Sequence, residues 1–145
     1  MVPWEDVNTV DISEHHFAVI DRIRKYRNTR LPVTQEGKVI GILMTKEFVA
    51  ETEVSKLDWT ELIRPVVFIS PNQSILAALR YLQFKKSHLA IVKETRDEED
   101  FYLGVVTIED IFEEVIGDIY DQDDNPRTLL SLNSRQKVLR NYRKK

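Results

Sequence analysis

One pattern recurs twice along this chain, and it restricts the fold more than any other feature of the sequence. Thr29-Arg30-Leu31-Pro32-Val33 is echoed by Ser87-His88-Leu89-Ala90-Ile91 at an offset of 58 residues. Gly41-Ile42-Leu43-Met44-Thr45-Lys46-Glu47-Phe48 is echoed by Gly104-Val105-Val106-Thr107-Ile108-Glu109-Asp110-Ile111 at an offset of 63. The five added residues fall between Lys93 and Tyr102, where a charged run from Glu94 to Asp100 reads as an elongated hairpin connection. In the first repeat Glu36-Gly37-Lys38 makes the same turn tightly.

Each repeat follows one grammar of helix, strand, hairpin turn, glycine-opened strand and helix. Phe17, Ile20 and Ile23, then Ile75, Leu79 and Leu82, recur at helical spacing. So do Ile108, Ile111, Phe112, Val115, Ile116 and Ile119, with carboxylates on the other face. Ser70-Pro71-Asn72-Gln73 reads as an N-cap, a first-turn proline and a capping-box glutamine. Asp58-Trp59-Thr60-Glu61 reads as a short helical turn between the halves. The expectation is an α/β (α+β) chain of two pseudo-symmetric βαββα repeats, residues 1–57 and 58–121, followed by a tail over 122–145. A half of about 55 residues is marginal alone, so the two are expected to pack sheet to sheet.

Composition removes several function classes. Without cysteine there is no disulfide framework, thiolate metal site or thiol nucleophile. Four isolated glycines exclude a P-loop and a dinucleotide fingerprint. His15 and His16 are adjacent and so diverge on a helix, which makes a poor metal pair. Asp121 to Asn125 begins like a calcium loop, but Pro126 stands where glycine is required and Leu132 where a bidentate glutamate belongs. No serine, histidine and aspartate grouping suggests a nucleophile, so the chain is read as a binding module and not an enzyme. No apolar run approaches the roughly 20 residues that cross a bilayer, and the start shows no signal or transit pattern. Charge is segregated. From Glu94 to Asp124 there are thirteen acidic residues and one basic, whereas Arg127 to Lys145 holds seven basic and none acidic. The tail lacks the aromatic interleaving of a nucleic-acid surface.

Thr107-Ile108-Glu109-Asp110 sits where a strand gives way to a helix. A hydroxyl followed three residues later by a carboxylate is a capping box and by itself needs no ligand. The same pair also suits a ribose diol. In the first repeat the matching residues are Met44 and Glu47, which lack the hydroxyl and lengthen the acid, so one competent site is expected rather than two. Arg30 offers a planar fork of donors, suited to a phosphate or to a surface ion pair.

These motifs, together with Met1-Val2-Pro3 and Glu5-Asp6-Val7, resemble the tandem CBS (Bateman) module of the CorC/HlyC and cyclin M (CNNM) magnesium and cobalt transport proteins. The resemblance covers about residues 1–121. It implies a regulatory module on the cytosolic side of a membrane protein, soluble as a fragment, with the transmembrane domain as partner. It implies adenine nucleotide between the repeats, ATP or else ADP or AMP, with Mg²⁺ held through the phosphates and no protein metal ligand. It assigns ribose to Thr107 and Asp110, phosphates to Arg30 with Thr29 and Asn28 beside it, and the base to Val2 and Pro3. His88 is the expected counterpart of Arg30. The alternative is a ligand-free module that pairs with a second copy through Ile111, Val115 and Ile119.

Overall fold

The computed structural model describes residues 1–54 and 58–121. The acidic-to-basic tail over 122–145 and the side chains of Asp118 and Ile119 lie outside the described residues. In chain order the elements are β1 (Val2–Pro3), β2 (Val10–Asp11), α1 (His16–Tyr26), β3 (Arg30–Gln35), β4 (Lys38–Met44) and α2 (Thr45–Val54). They continue with β5 (Phe68–Ile69), α3 (Ile75–Lys85), β6 (Leu89–Arg96), β7 (Glu99–Thr107) and α4 (Ile108–Asp121). Short 3₁₀ turns cover Trp4–Asp6 and Trp59–Leu62. No described helix is long and apolar enough to cross a membrane.

Two compact units form. A contiguous unit spans Asn8–Val66, and a split unit joins Met1–Val7 to the chain from Val67 onward. The boundary therefore differs from a simple division at residue 57. The reason is β1, which pairs antiparallel with β7 through Val2 opposite Val105 and Pro3 opposite Gly104. The contiguous unit has the sheet order β2-β3-β4, and the split unit β1-β7-β6-β5. Each unit keeps the βαββα order, with a parallel first pair and an antiparallel hairpin.

Each sheet buries one face beneath its helices. Val10, Val19, Leu31, Val33, Leu43 and Phe48 form one core with Trp59 and Leu62. Met1, Ile69, Ile75, Ala78, Leu79, Leu82, Ala90, Val92, Val106 and Ile111 form the other. These lists correct the repeat register. Leu31 and Val33 match Ala90 and Val92, an offset of 59, because residues on the helix-facing side must match. The αL caps Arg27 and Lys86 show the same offset. The counterpart of Arg30 is thus Leu89 and that of Thr29 is His88.

The second hairpin consequently holds four extra residues rather than five, and they lengthen strands rather than a loop. β6 and β7 have 8 and 9 residues against 6 and 7 in β3 and β4. Both hairpins close on two residues of positive φ, Glu36 and Gly37 in one and Asp97 and Glu98 in the other, as a type I′ turn requires. The charged arms hold together by pairing. Thr95 Oγ1 donates to Asp100 Oδ1 at 2.8 Å, and Lys93 Nζ lies 3.6 Å from Asp100 Oδ2.

Several sequence expectations shift at the helices. Ser70–Gln73 forms a turn, with Gln73 N donating to Ser70 O, while Ser74 is the actual cap of α3, its Oγ accepting from Ala77 N at 3.1 Å. Phe17 is 70% exposed, whereas Val19 takes the core position of α1. On α4, Ile111 is fully buried and so is withdrawn from the expected pairing face, while Val115 is half-buried against the core. Among the described side chains of that helix, the exposed large apolar ones are Phe112 and Ile116. The 3₁₀ turn at Trp59 forms as expected, with Asp58 Oδ1 accepting from Thr60 N.

Before α1, Asp11 organises a tight turn. Its Oδ1 accepts from Ser13 Oγ at 2.6 Å and Ser13 N at 3.0 Å, and its Oδ2 accepts from Thr34 Oγ1. The Ser13 hydroxyl bond chiefly, then the Ser13 amide, holds the carboxyl below its ordinary value, against a small opposing effect of burial. A carboxylate depressed on folding stabilises the fold above its unfolded pKa, and this is lost as pH falls through the folded value. Urea midpoints measured from pH 7 down to pH ~3 are expected to fall further for the wild type than for Asp11→Asn, so the two curves converge in acid.

Candidate functional site

In the split unit the chemistry gathers where β7 gives way to α4. Thr107 and Asp110 form a reciprocal box. Asp110 N donates to Thr107 Oγ1 at 3.2 Å, and Thr107 N donates to Asp110 Oδ2 at 3.2 Å. Two groups remain unspent among the described residues: the Thr107 hydroxyl proton and Asp110 Oδ1. The Asp110 side chain is 32% exposed, so it is held by the fold yet open to a ligand.

The Met1–Pro3 segment lies alongside because Gly104 admits it. A Cβ at residue 104 would collide with the Val2 carbonyl oxygen and approach Met1 Cγ to 3.1 Å. Met1 plugs the core, and its nitrogen sits 3.5 Å from Asp110 Oδ2. Pro3 is buried and Val2 presents an exposed apolar side chain. Trp4 then rests on Tyr102 with ring centroids 5.0 Å apart, which anchors the segment beyond β1. Val2, Pro3, Thr107 and Asp110 thus belong to one unit, with Val2 and Pro3 opposite Val105 and Gly104 on the strand that leads to Thr107.

Asn28, Thr29 and Arg30 lie together in the contiguous unit. Asn28 Oδ1 accepts from Asn8 Nδ2 at 2.7 Å. The Thr29 carbonyl accepts from both Thr45 N and Thr45 Oγ1 at 3.0 Å, which fixes the start of β3 against the start of α2. Arg30 stands opposite Met44 and is half-buried. Arg22, Arg64 and Arg96 are each paired with a glutamate. Among the described residues, no carboxylate pairs with Arg30.

The sequence reading missed a second echo. Arg64 exchanges two backbone hydrogen bonds with Ile42, both 2.9 Å, as the segment crosses Gly41. Ile63-Arg64-Pro65 is therefore the counterpart of Met1-Val2-Pro3, with Gly41 serving as Gly104 does. The apolar-x-proline pattern shared by the two segments carries this signal, hidden because the segments lie outside the repeat's longer matches. At the matching turn, Thr45 spends its hydroxyl on Thr29, and Glu47 Oε2 accepts from Arg64 Nε at 2.8 Å.

Comparison with known proteins accords with this architecture. The family model for the CBS domain matches residues 1–52 and 58–117. The magnesium and cobalt efflux protein CorC of Vibrio cholerae is 32% identical over 129 residues, covering 86% of this chain and 43% of that protein. Across the curated relatives it matches, the chain spans only 24% to 46% of their length. The CBS domain of a putative transporter from Clostridium difficile 630 superposes with a TM-score of 0.69 at 30% identity, over 81% of this chain and 91% of that one. The CBS domain of a bacterial CNNM/CorC family Mg²⁺ transporter, in complex with ATP, shares the fold at a TM-score of 0.68 and 24% identity, over 81% and 84%. With a doubled βαββα fold, a family match to each half and these relatives, the chain belongs to the CBS-domain family as a tandem pair.

Proposed function

We propose that this pair binds an adenine nucleotide, ATP with Mg²⁺ on its phosphates, and thereby regulates a membrane transport protein of which it is a part, from the cytosolic side. The carrying observation is the Thr107–Asp110 turn, where a hydroxyl proton and a carboxylate oxygen stay unspent beside Val2 and Pro3. A ribose diol can donate to Asp110 Oδ1 and accept from Thr107, while the exposed Val2, seated by the buried Pro3, offers apolar contact to the base. ATP on the CNNM/CorC relative supports the same ligand class. Arg30, with Asn28 and Thr29, supplies the phosphate-binding group, since a guanidinium without a carboxylate partner among the described residues keeps its donors for an anion. The chain acts by binding and not by catalysis. Regulation requires the nucleotide to favour one arrangement over another, by a few kcal/mol at most.

Titration calorimetry of the chain with ATP, ADP and AMP, with and without Mg²⁺, tests the reading. Saturable heat is expected, and no heat from any of them at millimolar concentration would overturn it. Asp110→Asn is expected to weaken ATP binding by ~10-fold to 100-fold, the worth of hydrogen bonds to a charged acceptor. Arg30→Ala is expected to weaken ATP while leaving adenosine unchanged, and an equal loss for both would remove Arg30 from the phosphates.

A second reading, pairing of two copies without ligand, is favoured by Phe112 and Ile116, which α4 leaves exposed four residues apart. Sedimentation of Phe112→Ser beside the wild type distinguishes the two. A monomeric variant that still binds ATP assigns the helix face to pairing and the Thr107 turn to nucleotide.

A further inference from the structure

The contiguous unit repeats the backbone frame of the Thr107 turn but fills it differently. Arg64 occupies the place of Val2, Glu47 that of Asp110 and Met44 that of Thr107, while Gly41 admits the crossing strand as Gly104 does. Where Val2 leaves Asp110 open, Arg64 lays its guanidinium on the Glu47 carboxylate at 2.8 Å. The contact raises the proton affinity of Arg64 through the Glu47 hydrogen bond and charge, so the guanidinium stays charged at any physiological pH. The hydroxyl of that turn, on Thr45, is buried and bound to the Thr29 carbonyl.

We infer that Arg64 is a selectivity residue that holds the first unit's strand-to-helix turn shut against a nucleoside by taking the carboxylate a ribose diol would need. The inference rests on the ribose reading of Thr107 and Asp110 and adds a cause for the inequality of the two halves. Met44 and Glu47 make the turn a poor sugar site. Arg64 obstructs it further, because its Nε holds Glu47 Oε2 and its side chain lies over that carboxylate, so a diol must compete with a neighbouring guanidinium where Asp110 has none. The Arg64 side chain is 61% exposed and Glu47 28%, so the closure is a surface contact that one substitution removes without disturbing a core.

Adenosine is the probe, since it carries no phosphate and bypasses Arg30. Amide resonances of residues 41–47 and 104–110 are followed during titration of the wild type, Arg64→Val and the triple variant Arg64→Val/Met44→Thr/Glu47→Asp. In the wild type, shifts are expected only at 104–110. Arg64→Val is expected to add weak shifts at 41–47, and the triple variant to saturate them at ~10-fold lower adenosine, about 1.4 kcal/mol. A dispersed spectrum of the triple variant with unmoved 41–47 amides overturns the inference. Wild-type shifts at 41–47 as large as those of the variants also overturn it. Silence at 104–110 in every chain would count against the nucleotide reading alone, because the response at 41–47 still decides the role of Arg64.

Discussion

Trp59→Ala is expected to lower the stability of the contiguous unit by about 3–5 kcal/mol, the range for deleting a buried indole. Trp59 is 4% exposed and lies in one core with Leu62, Val19, Leu43 and Phe48, so its loss leaves a cavity that the rigid sheet cannot close. Its Nε1 also donates to the Glu14 carbonyl at 3.0 Å, and that acceptor would be left without its partner. Glu14 in turn grips Arg22, whose Nη1 reaches the Thr9 carbonyl at 3.1 Å, so the indole sits under a linked set of contacts between the turn before α1 and the connector after α2. Chemical denaturation monitored by far-UV dichroism measures the effect. Trp59→Phe, which keeps most of the volume and loses the hydrogen bond, is expected to cost about 1 kcal/mol. A loss for Trp59→Ala no greater than that of the phenylalanine variant would show that the indole packs loosely.

Gly104→Ala is expected to cost about 1–3 kcal/mol by overpacking and to weaken ATP binding at least tenfold. The added methyl would meet the Val2 carbonyl oxygen and stand 3.3 Å from Met1 Sδ, so β1 must leave β7 or the strand must bend. Either change moves Val2 and Pro3 away from the Thr107 turn. Thermal melting and calorimetry together check this. A variant that is destabilised yet binds ATP normally would remove Val2 and Pro3 from the proposed site. The equivalent Gly41→Ala meets Arg64 O at 2.6 Å and is expected to destabilise the other unit without changing ATP affinity.

Periodicity and glycine placement made the doubled βαββα order legible, and the Thr107-x-x-Asp110 spacing announced the reciprocal box that the structure shows. The register of the repeat was less legible. Matching Thr29-Arg30 to Ser87-His88 follows side-chain type, but a sheet is constrained by which face is buried, and a one-residue shift exchanges the faces. The packing of Leu31, Val33, Ala90 and Val92 into the two helix-covered cores decides it, and that is a tertiary property. The swap of β1 into the second half was hidden for a related reason. Two residues carry no periodicity, and only the glycine opposite them marks where a foreign strand comes close. Ile111 is withdrawn from the pairing face expected on Ile111, Val115 and Ile119 because α4 is apolar on more than one side and packs Ile111 into the core it shares with α3. Arg64 went unnoticed as a lone cation in a linker, since its meaning comes from Glu47, seventeen residues away.

The partnership of β1 with β7 also orders events on the ribosome. Every strand of the contiguous unit has been synthesised once Val66 emerges, so its cooperative folding can begin while the remainder is still being translated. Of the two sheets, the one that holds β1 is completed second, because Val2 waits for Val105, about a hundred residues later. Until then Gly104 has no neighbour to make room for, and the Met1 plug has no core to enter. A nascent chain therefore acquires the Arg64–Glu47 turn before the Thr107–Asp110 turn and its flanking strand.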